Sequence, residues 1–233
     1  SVVVNGEIYN FQELRAELES KGHRFKSRSD SEVCLHLYEE EGVDFLDRLR
    51  GMYALALWDA PRRRLVLARD RFGKKPLFYH ADADGLVFAS ELAALVASNC
   101  VERRPDLGAI DSFLCLQYVP SPSTAFEGVR KLPAGSRLVC ENGKVGEPER
   151  YFELRFDQTR SGSFRDLPAE LHAQIEDAVK VRMVSDVPLG AFLSGGLDSS
   201  LIVAMMARHS TEPVKTFSVG FTSKDFSELP YAQ

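Results

Sequence analysis

Seven consecutive residues, Ser194-Gly195-Gly196-Leu197-Asp198-Ser199-Ser200, bring together groups suited to holding phosphate. Gly195 and Gly196 lack a Cβ, so their N–H groups can approach phosphate oxygens closely. A helix predicted to begin near Asp198 would aim unpaired N–H groups and the positive end of its dipole at the same point. Ser194, Ser199 and Ser200 add hydroxyl donors, and Asp198 can hold a magnesium ion against a pyrophosphate. The lysine of a GxxxxGK[ST] loop is missing, which separates this motif from that class. A Gly-Gly turn with Asp198 as N-cap explains the same residues, and the two jobs can coexist.

Such a loop must be presented by a strand on one side and a helix on the other. Leu189 to Leu193 reads as a short strand. Asp198 to His209 reads as a helix with Leu201, Ile202, Met205 and Met206 inward, and Val214 to Phe221 as the next strand. Strand, loop, helix and strand over roughly 30 residues make a parallel βαβ unit. Upstream, Leu171, Ile175, Val179 and Met183 recur every four residues, a helix stripe facing a core.

The longer N-terminal part has a different rhythm. Val2 to Val4 reads as a strand and Asn5-Gly6 as a turn. Asn10 can cap a helix with Glu13 at N3, carrying Phe11, Leu14 and Leu18 on one face and ending at Gly22. Asp30 or Ser31 is expected to cap a second helix, with Val33 and Leu37 inward, running to about Gly42. Tyr53, Leu55 and Leu57 alternate with Ala54, Ala56 and Trp58, as in a strand buried on both faces. Asp59-Ala60-Pro61 turns the chain into Leu65 to Ala68. Leu77 to Tyr79 and Leu86 to Phe88 flank the turn Asp82-Ala83-Asp84-Gly85. Helices from Glu91 to about Ala97 and from Asp106 to about Gln117 precede an irregular stretch from Pro120 to Gly135. Ser136 to Cys140 reads as an edge strand ending at Glu141-Asn142-Gly143. Short strands joined by turns imply an antiparallel sheet with helices packed on it. The polar residues 157–165 read as a linker.

Composition narrows the function classes. Hydrophobic residues make up 44% of the 233 and charged residues 27%, as in an ordinary globular chain. The net charge of -5 gives no nucleic-acid footprint, and the basic runs Arg62-Arg63-Arg64 and Arg103-Arg104 read as solvated turns. No apolar run approaches the ~20 residues of a membrane span, and no signal peptide is evident. Cys34, Cys100, Cys115 and Cys140 show no CxxC spacing, which fits free thiols in a reducing, cytoplasmic setting. The sequence opens directly on the apolar run Ser1 to Val4 and stops soon after a strand-like segment, so both ends are read as cuts in a longer protein.

The phosphate loop resembles the PP-loop of ATP-pyrophosphatase ligases. Its flanks, Ser185-Asp186-Val187-Pro188-Leu189-Gly190 and Thr216-Phe217-Ser218-Val219-Gly220-Phe221, resemble those of the glutamine-hydrolysing asparagine synthetase family. In the N-terminal part, Val4-Asn5-Gly6-Glu7-Ile8-Tyr9-Asn10, Ser29-Asp30-Ser31-Glu32-Val33, Arg69 to Leu77 and Phe88-Ala89-Ser90-Glu91-Leu92 are similar to its class II glutaminase domain. Tyr118 to Pro122 and Leu132 to Gly135 are similar to its connecting segment.

The resemblance implies an α/β protein in two parts. Residues 1–155 would form most of an Ntn-hydrolase-like αββα sandwich. Residues 156–165 would link it to the start of a doubly wound, parallel-sheet PP-loop domain over 166–233. Asn5 and the Gly6 backbone would form an oxyanion hole. Asn5, Gly6, Glu7 and Asp30 would bind glutamine, with Asp30 pairing its α-ammonium. Residues 194–200 would bind ATP, with Leu193 and Val219 at the adenine and Asp198 on Mg. The implied reaction activates aspartate as β-aspartyl-AMP, and ammonia from glutamine converts it to asparagine. Glutamine, aspartate and ATP are the expected small-molecule partners; a homodimer is left open. Arg69-Asp70 and Lys74-Lys75 are read as scaffold charges forming ordinary salt bridges.

The pattern also breaks. The family's glutaminase nucleophile is an N-terminal Cys well upstream of the Asn-Gly-Glu triplet, and Ser1 does not match it. Cys34, inside a predicted helix, reads as a buried structural thiol, and His23 and His36 form no persuasive dyad with it. This stretch alone is expected to be inactive. Three rivals stay open: a related amidotransferase or β-lactam-synthetase-like ligase acting on another carboxylate, a non-catalytic binding module, and a ligase using free ammonia.

Overall fold

The computed structural model describes residues 1–83, 85–157, 163–222 and 227–232. Residues 158–162 of the expected linker and Asp84 of the expected turn lie outside that range. The chain divides into two compact units, Ser1–Phe156 and Asp157–Gln233.

In the first unit, β1 (Val2–Ile8), β2 (Gly51–Asp59), β3 (Arg64–Arg69), β7 (Ser136–Glu141) and β8 (Lys144–Val145) lie side by side in that order, and β9 (Glu149–Arg150) also pairs β7. All these pairings are antiparallel. A smaller antiparallel sheet runs β5 (Leu86–Ala89), β4 (Phe78–Ala81), β6 (Val129–Lys131).

Alternation along β2 explains the layering. Tyr53, Leu55 and Leu57 face one side and join Leu14 and Leu18 of α1 (Phe11–Ser20) with Val33 and Leu37 of α2 (Val33–Glu41) in the main core. Ala54 faces the other side and joins Leu67, Leu138 and Tyr79, which closes the two sheets on each other. Leu95 of α3 (Leu92–Ala97) covers the far face of the smaller sheet with Val129 and Phe78. The result is helix, sheet, sheet, helix, the αββα layering expected. The helix α4 (Leu107–Leu116) is N-capped by Asp106, whose carboxylate accepts from the Ala109 N–H at 2.9 Å.

Several local expectations are corrected. Asn5-Gly6 is no turn: β1 runs straight through it, with Gly6 opposite Tyr53. Gly6 has φ +149°, and a Cβ there would lie 1.9 Å from the Met52 carbonyl oxygen. The glycine therefore permits close strand approach, not reversal. Asn10 occupies the N-cap position without capping; its side chain donates to Arg48 O (2.9 Å) and accepts from Arg50 N (3.0 Å), holding the entry to β2. Asp30 is not a helix cap either, because it opens a 3-10 turn (Asp30–Glu32) capped by Ser29. β7 is interior, flanked by β3 and β8, and β6 lies in the stretch expected to be irregular.

The second unit contains α5 (Leu167–Val181), β10 (Gly190–Phe192), α6 (Leu197–His209), β11 (Lys215–Phe217) and α7 (Leu229–Ala232). β10 and β11 pair in parallel with α6 between them in sequence, a βαβ unit. Val179, Met205 and Met206 form its core, with Ile175, Met183, Ala191 and Val214 alongside. Leu201 and Ile202, expected inside, and Leu171 of the α5 stripe are exposed.

Candidate functional site

The first group of expected residues gathers on the free edge of the larger sheet. β1 is the terminal strand. Its even-numbered side chains turn toward the core, while Val3, Asn5 and Glu7 are exposed on the other face. The ladder fixes the backbone as well. Ser1 and Trp58 exchange both backbone hydrogen bonds, and the Tyr9 N–H donates to Arg50 O. In an antiparallel pair the hydrogen-bonded residues alternate. The odd-numbered N–H groups of β1 therefore face β2, and those of Gly6 and Ile8 face outward. The Ile8 N–H is taken by Asp30 Oδ2 at 2.7 Å. Gly6 thus presents its N–H along the same edge that Asp30 closes, with Asn5 and Glu7 exposed beside it.

Asp30 is itself held. Its Oδ1 accepts from Ser31 Oγ (3.2 Å) and Ser29 Oγ (3.4 Å), and Ser29 Oγ accepts from the Ser31 N–H (3.2 Å). The short loop before α2 is thereby fixed with its carboxylate against the end of β1.

Cys34 is a buried thiol in the main core. Burial, reinforced by the nearby Asp30 charge, pushes its pKa up to about 12. A thiol so held is a poor nucleophile, since the thiolate is the reactive form. Cys100 and Cys115 are exposed and Cys140 is partly buried; all four are free.

Arg69 and Asp70, read from the sequence as salt-bridging charges, instead bind backbone. The buried Asp70 carboxylate accepts from the N–H groups of Phe72 (3.1 Å), Lys74 (2.9 Å), Lys75 (2.9 Å) and Tyr53 (3.3 Å). The Arg69 guanidinium donates to the carbonyls of Gly73, Lys75 and Leu132 at 2.7 to 2.9 Å. Burial lowers the Arg69 pKa, and the adjacent Asp70 charge opposes that shift. Together they fix the loop after β3 against β2. Charge pattern alone could not separate backbone chelation from ion pairing.

The second group sits at the exit of β10. Gly196 is the N-cap of α6 and offers no side chain, which places Asp198 inside the first turn rather than at the cap. The Ser200 N–H reaches Gly196 O at 3.0 Å, so the N–H groups of Leu197, Asp198 and Ser199 begin the helix without intrahelical acceptors. Ser194 Oγ and Ser199 Oγ lie 3.0 Å apart. Ser199 Oγ accepts from the Ser194 N–H, and Ser194 Oγ accepts from the Gly196 N–H, each at 3.3 Å. Gly195 adopts φ +80°, and a Cβ there would lie 2.4 Å from Tyr231 of α7. Ser194, Gly196, Asp198 and Ser200 remain exposed, so the mouth of the loop is open to solvent. The Asp198 carboxylate makes no hydrogen bond or ion pair among the described residues. Leu193 is paired across to β11: its N–H donates to Phe217 O (2.9 Å) and its carbonyl accepts from Ser218 Oγ (2.6 Å). Val219 lies exposed two residues past β11.

Comparison with known proteins matches each of the two units to a known family. Residues 1–152 match the family described as glutamine amidotransferase domain, and residues 170–233 match asparagine synthase. The chain is similar to "Asparagine synthetase [glutamine-hydrolyzing] 1" of Bacillus subtilis, 41% identical over 233 residues, all of this chain and 36% of that protein. It is 37% identical over 231 residues to "Asparagine synthetase [glutamine-hydrolyzing] 3" of the same organism, 97% of this chain and 37% of that protein. The chain thus spans little more than a third of the length of these curated relatives. A solved structure of glutamine phosphoribosylpyrophosphate amidotransferase from B. subtilis, complexed with ADP and GMP, aligns over 97% of this chain and 47% of its own, with a TM-score of 0.47 and 18% identity. The chain belongs to the glutamine amidotransferase domain family, and behind that domain it carries a segment that matches asparagine synthase.

Proposed function

We propose that this chain is the glutamine-handling domain and the start of the ATP-handling domain of an asparagine synthetase. The reading rests most on the β1 edge, where the outward Gly6 N–H, exposed Asn5 and Glu7, and the fixed Asp30 carboxylate meet along one strand. Asp30 would hold the α-ammonium of glutamine, and Glu7 would line the same pocket. The Asn5 side chain and the Gly6 N–H would stabilise the oxyanion formed when a thiolate attacks the amide carbon. Cys34 is not suited to supply that thiolate, because it is buried with its pKa pushed up to about 12.

In the second unit the open first turn of α6 would take the pyrophosphate of ATP. Its free N–H groups and Ser194, Ser199 and Ser200 would donate, while Leu193 and Val219 flank the adenine. The exposed carboxylate of Asp198 fits a magnesium ion, a hard cation that favours carboxylate and phosphate oxygens. Mg would neutralise the phosphate charge there. The whole protein would activate the β-carboxylate of aspartate as β-aspartyl-AMP, releasing pyrophosphate. Ammonia from glutamine would then displace AMP. The setting we propose is the cytoplasm.

Product analysis with the full-length protein, glutamine, ATP and aspartate tests this reading. Asparagine, AMP and pyrophosphate should appear in equal amounts. ATP turnover that depends on a different carboxylate acceptor would overturn the assignment of aspartate.

A further inference from the structure

We infer that the first unit carries a transition-metal site, separate from the glutamine and nucleotide sites, built from His23, His36 and Glu39. Three atoms converge there. His23 Nδ1 and His36 Nδ1 are 3.1 Å apart, His36 Nδ1 and Glu39 Oε2 are 3.1 Å apart, and His23 Nδ1 and Glu39 Oε2 are 3.4 Å apart. A tetrahedral ion with ligands at ~2.0–2.1 Å separates each pair of ligand atoms by about 3.3–3.4 Å. The three atoms therefore mark out one face of such a tetrahedron, leaving a fourth position for water or another ligand.

The surroundings hold both rings in place. His23 Nε2 lies 3.1 Å from Glu40 Oε1, and His36 Nε2 lies 3.7 Å from Glu32 Oε1. The carboxylate behind His23 favours the proton on its Nε2 and leaves its Nδ1 lone pair for a metal, the usual arrangement around bound zinc, whereas His36 Nε2 is buried and makes no hydrogen bond among the described residues. Without an ion, the 3.1 Å contacts are hydrogen bonds when one Nδ1 carries the ring proton, and an ion would take that proton's place. Glu32 is fixed in turn by the N–H groups of Lys26 and Ser27, each at 2.7 Å. Phe25 packs edge-on to His36 with ring centres 4.5 Å apart, and Arg15 lies over Phe25. Both imidazoles are mostly buried, so their positions are set by packing.

The donor set is two imidazole nitrogens and one carboxylate oxygen, which selects a borderline divalent ion such as zinc over magnesium or calcium. His23 stands in the loop after α1, while His36 and Glu39 are one turn apart on α2. An ion there clasps the loop to the helix and encloses the turn that presents Asp30. Its role is structural.

Titration of tag-free, metal-stripped full-length protein with Co²⁺ alone, followed by visible absorption, tests the site. One equivalent should give the intense bands of tetrahedral cobalt, which Zn²⁺ then abolishes. His36→Gln should remove the bands. Glu40→Gln, a change at an outer carboxylate, should weaken affinity about 10–100-fold. His80→Gln, outside the cluster, should leave the bands intact. Glu39→Gln alters an exposed side chain, so it keeps the test valid if His36→Gln fails to fold; it should also weaken binding. Absence of tetrahedral cobalt bands in the wild-type protein, or bands that persist in both His36→Gln and Glu39→Gln, would overturn the inference.

Discussion

At the residue scale, environment separates groups that share a chemistry. Four cysteines offer a thiol, yet Cys34, the one nearest in sequence to Asp30, is sealed in the core with its pKa pushed up to about 12. Iodoacetamide at mildly alkaline pH should therefore label Cys100 and Cys115 in the native protein and leave Cys34 unmodified until the chain is denatured, as read by peptide mass spectrometry. Rapid native labelling of Cys34 would contradict its burial. Asn5 lies at the opposite extreme, exposed on an edge strand with no core to support. Asn5→Ala should leave thermal stability within about 0.5 kcal/mol, as for other surface changes. It should slow glutamine hydrolysis by roughly 10²–10³, the effect of removing one oxyanion donor.

At the element scale, β1 shows why a local signal can mislead. Asn-Gly is a strong reversal signal taken alone. Here the glycine answers a tertiary demand, since β2 approaches so closely that only hydrogen fits at position 6. Gly6→Ala should cost on the order of 3 kcal/mol, from steric overlap and backbone strain together, measured by denaturant unfolding. A neutral substitution would mean the strands are not so close. The same contrast runs through the fold. Alternation in Tyr53 to Leu57 announced a strand buried on both faces, and the four-residue stripe of α5 announced a helix. Val129-Arg130-Lys131 carries too few apolar residues to announce β6, which forms because the smaller sheet needs a third strand beside β4. Asn10 and Asp30 resembled helix caps, but their side chains bind distant backbone, at Arg48 and Arg50 and at Ile8. Partners so remote in sequence leave no local signature. Of the site, the phosphate loop was visible in its residue types, whereas the β1 edge became visible through family resemblance and its geometry through the ladder.

Tyr151 ties the last segment of the first unit to the sheet. Its hydroxyl donates to Arg69 O at 2.7 Å and lies 3.0 Å from the Tyr53 hydroxyl. Burial is the main cause that raises its pKa from 10.0 to about 12. A raised folded pKa means that its contribution is fully present below pH 10 and is lost as pH rises toward 12. Tyr151→Phe should therefore flatten the fall in stability across that window, with little change in its shape near neutrality. An unchanged alkaline profile would show that the Tyr151 hydroxyl does not govern it.

At the scale of the whole molecule, two chemistries are assigned to two compact units with separate cores. The αββα unit would release ammonia from glutamine, and the βαβ unit would hold the nucleotide phosphates. Each half should then fail on its own when its own site is damaged. Asp198 is suited to this test because it is exposed in the first turn of α6, where its loss disturbs no core contact. The most direct measurement is ATP–pyrophosphate exchange and glutamine hydrolysis, assayed side by side in the full-length Asp198→Ala protein. Exchange should be abolished while glutamine hydrolysis stays largely intact. Equal loss of both activities, or exchange that survives the substitution, would contradict the division of labour proposed for this chain.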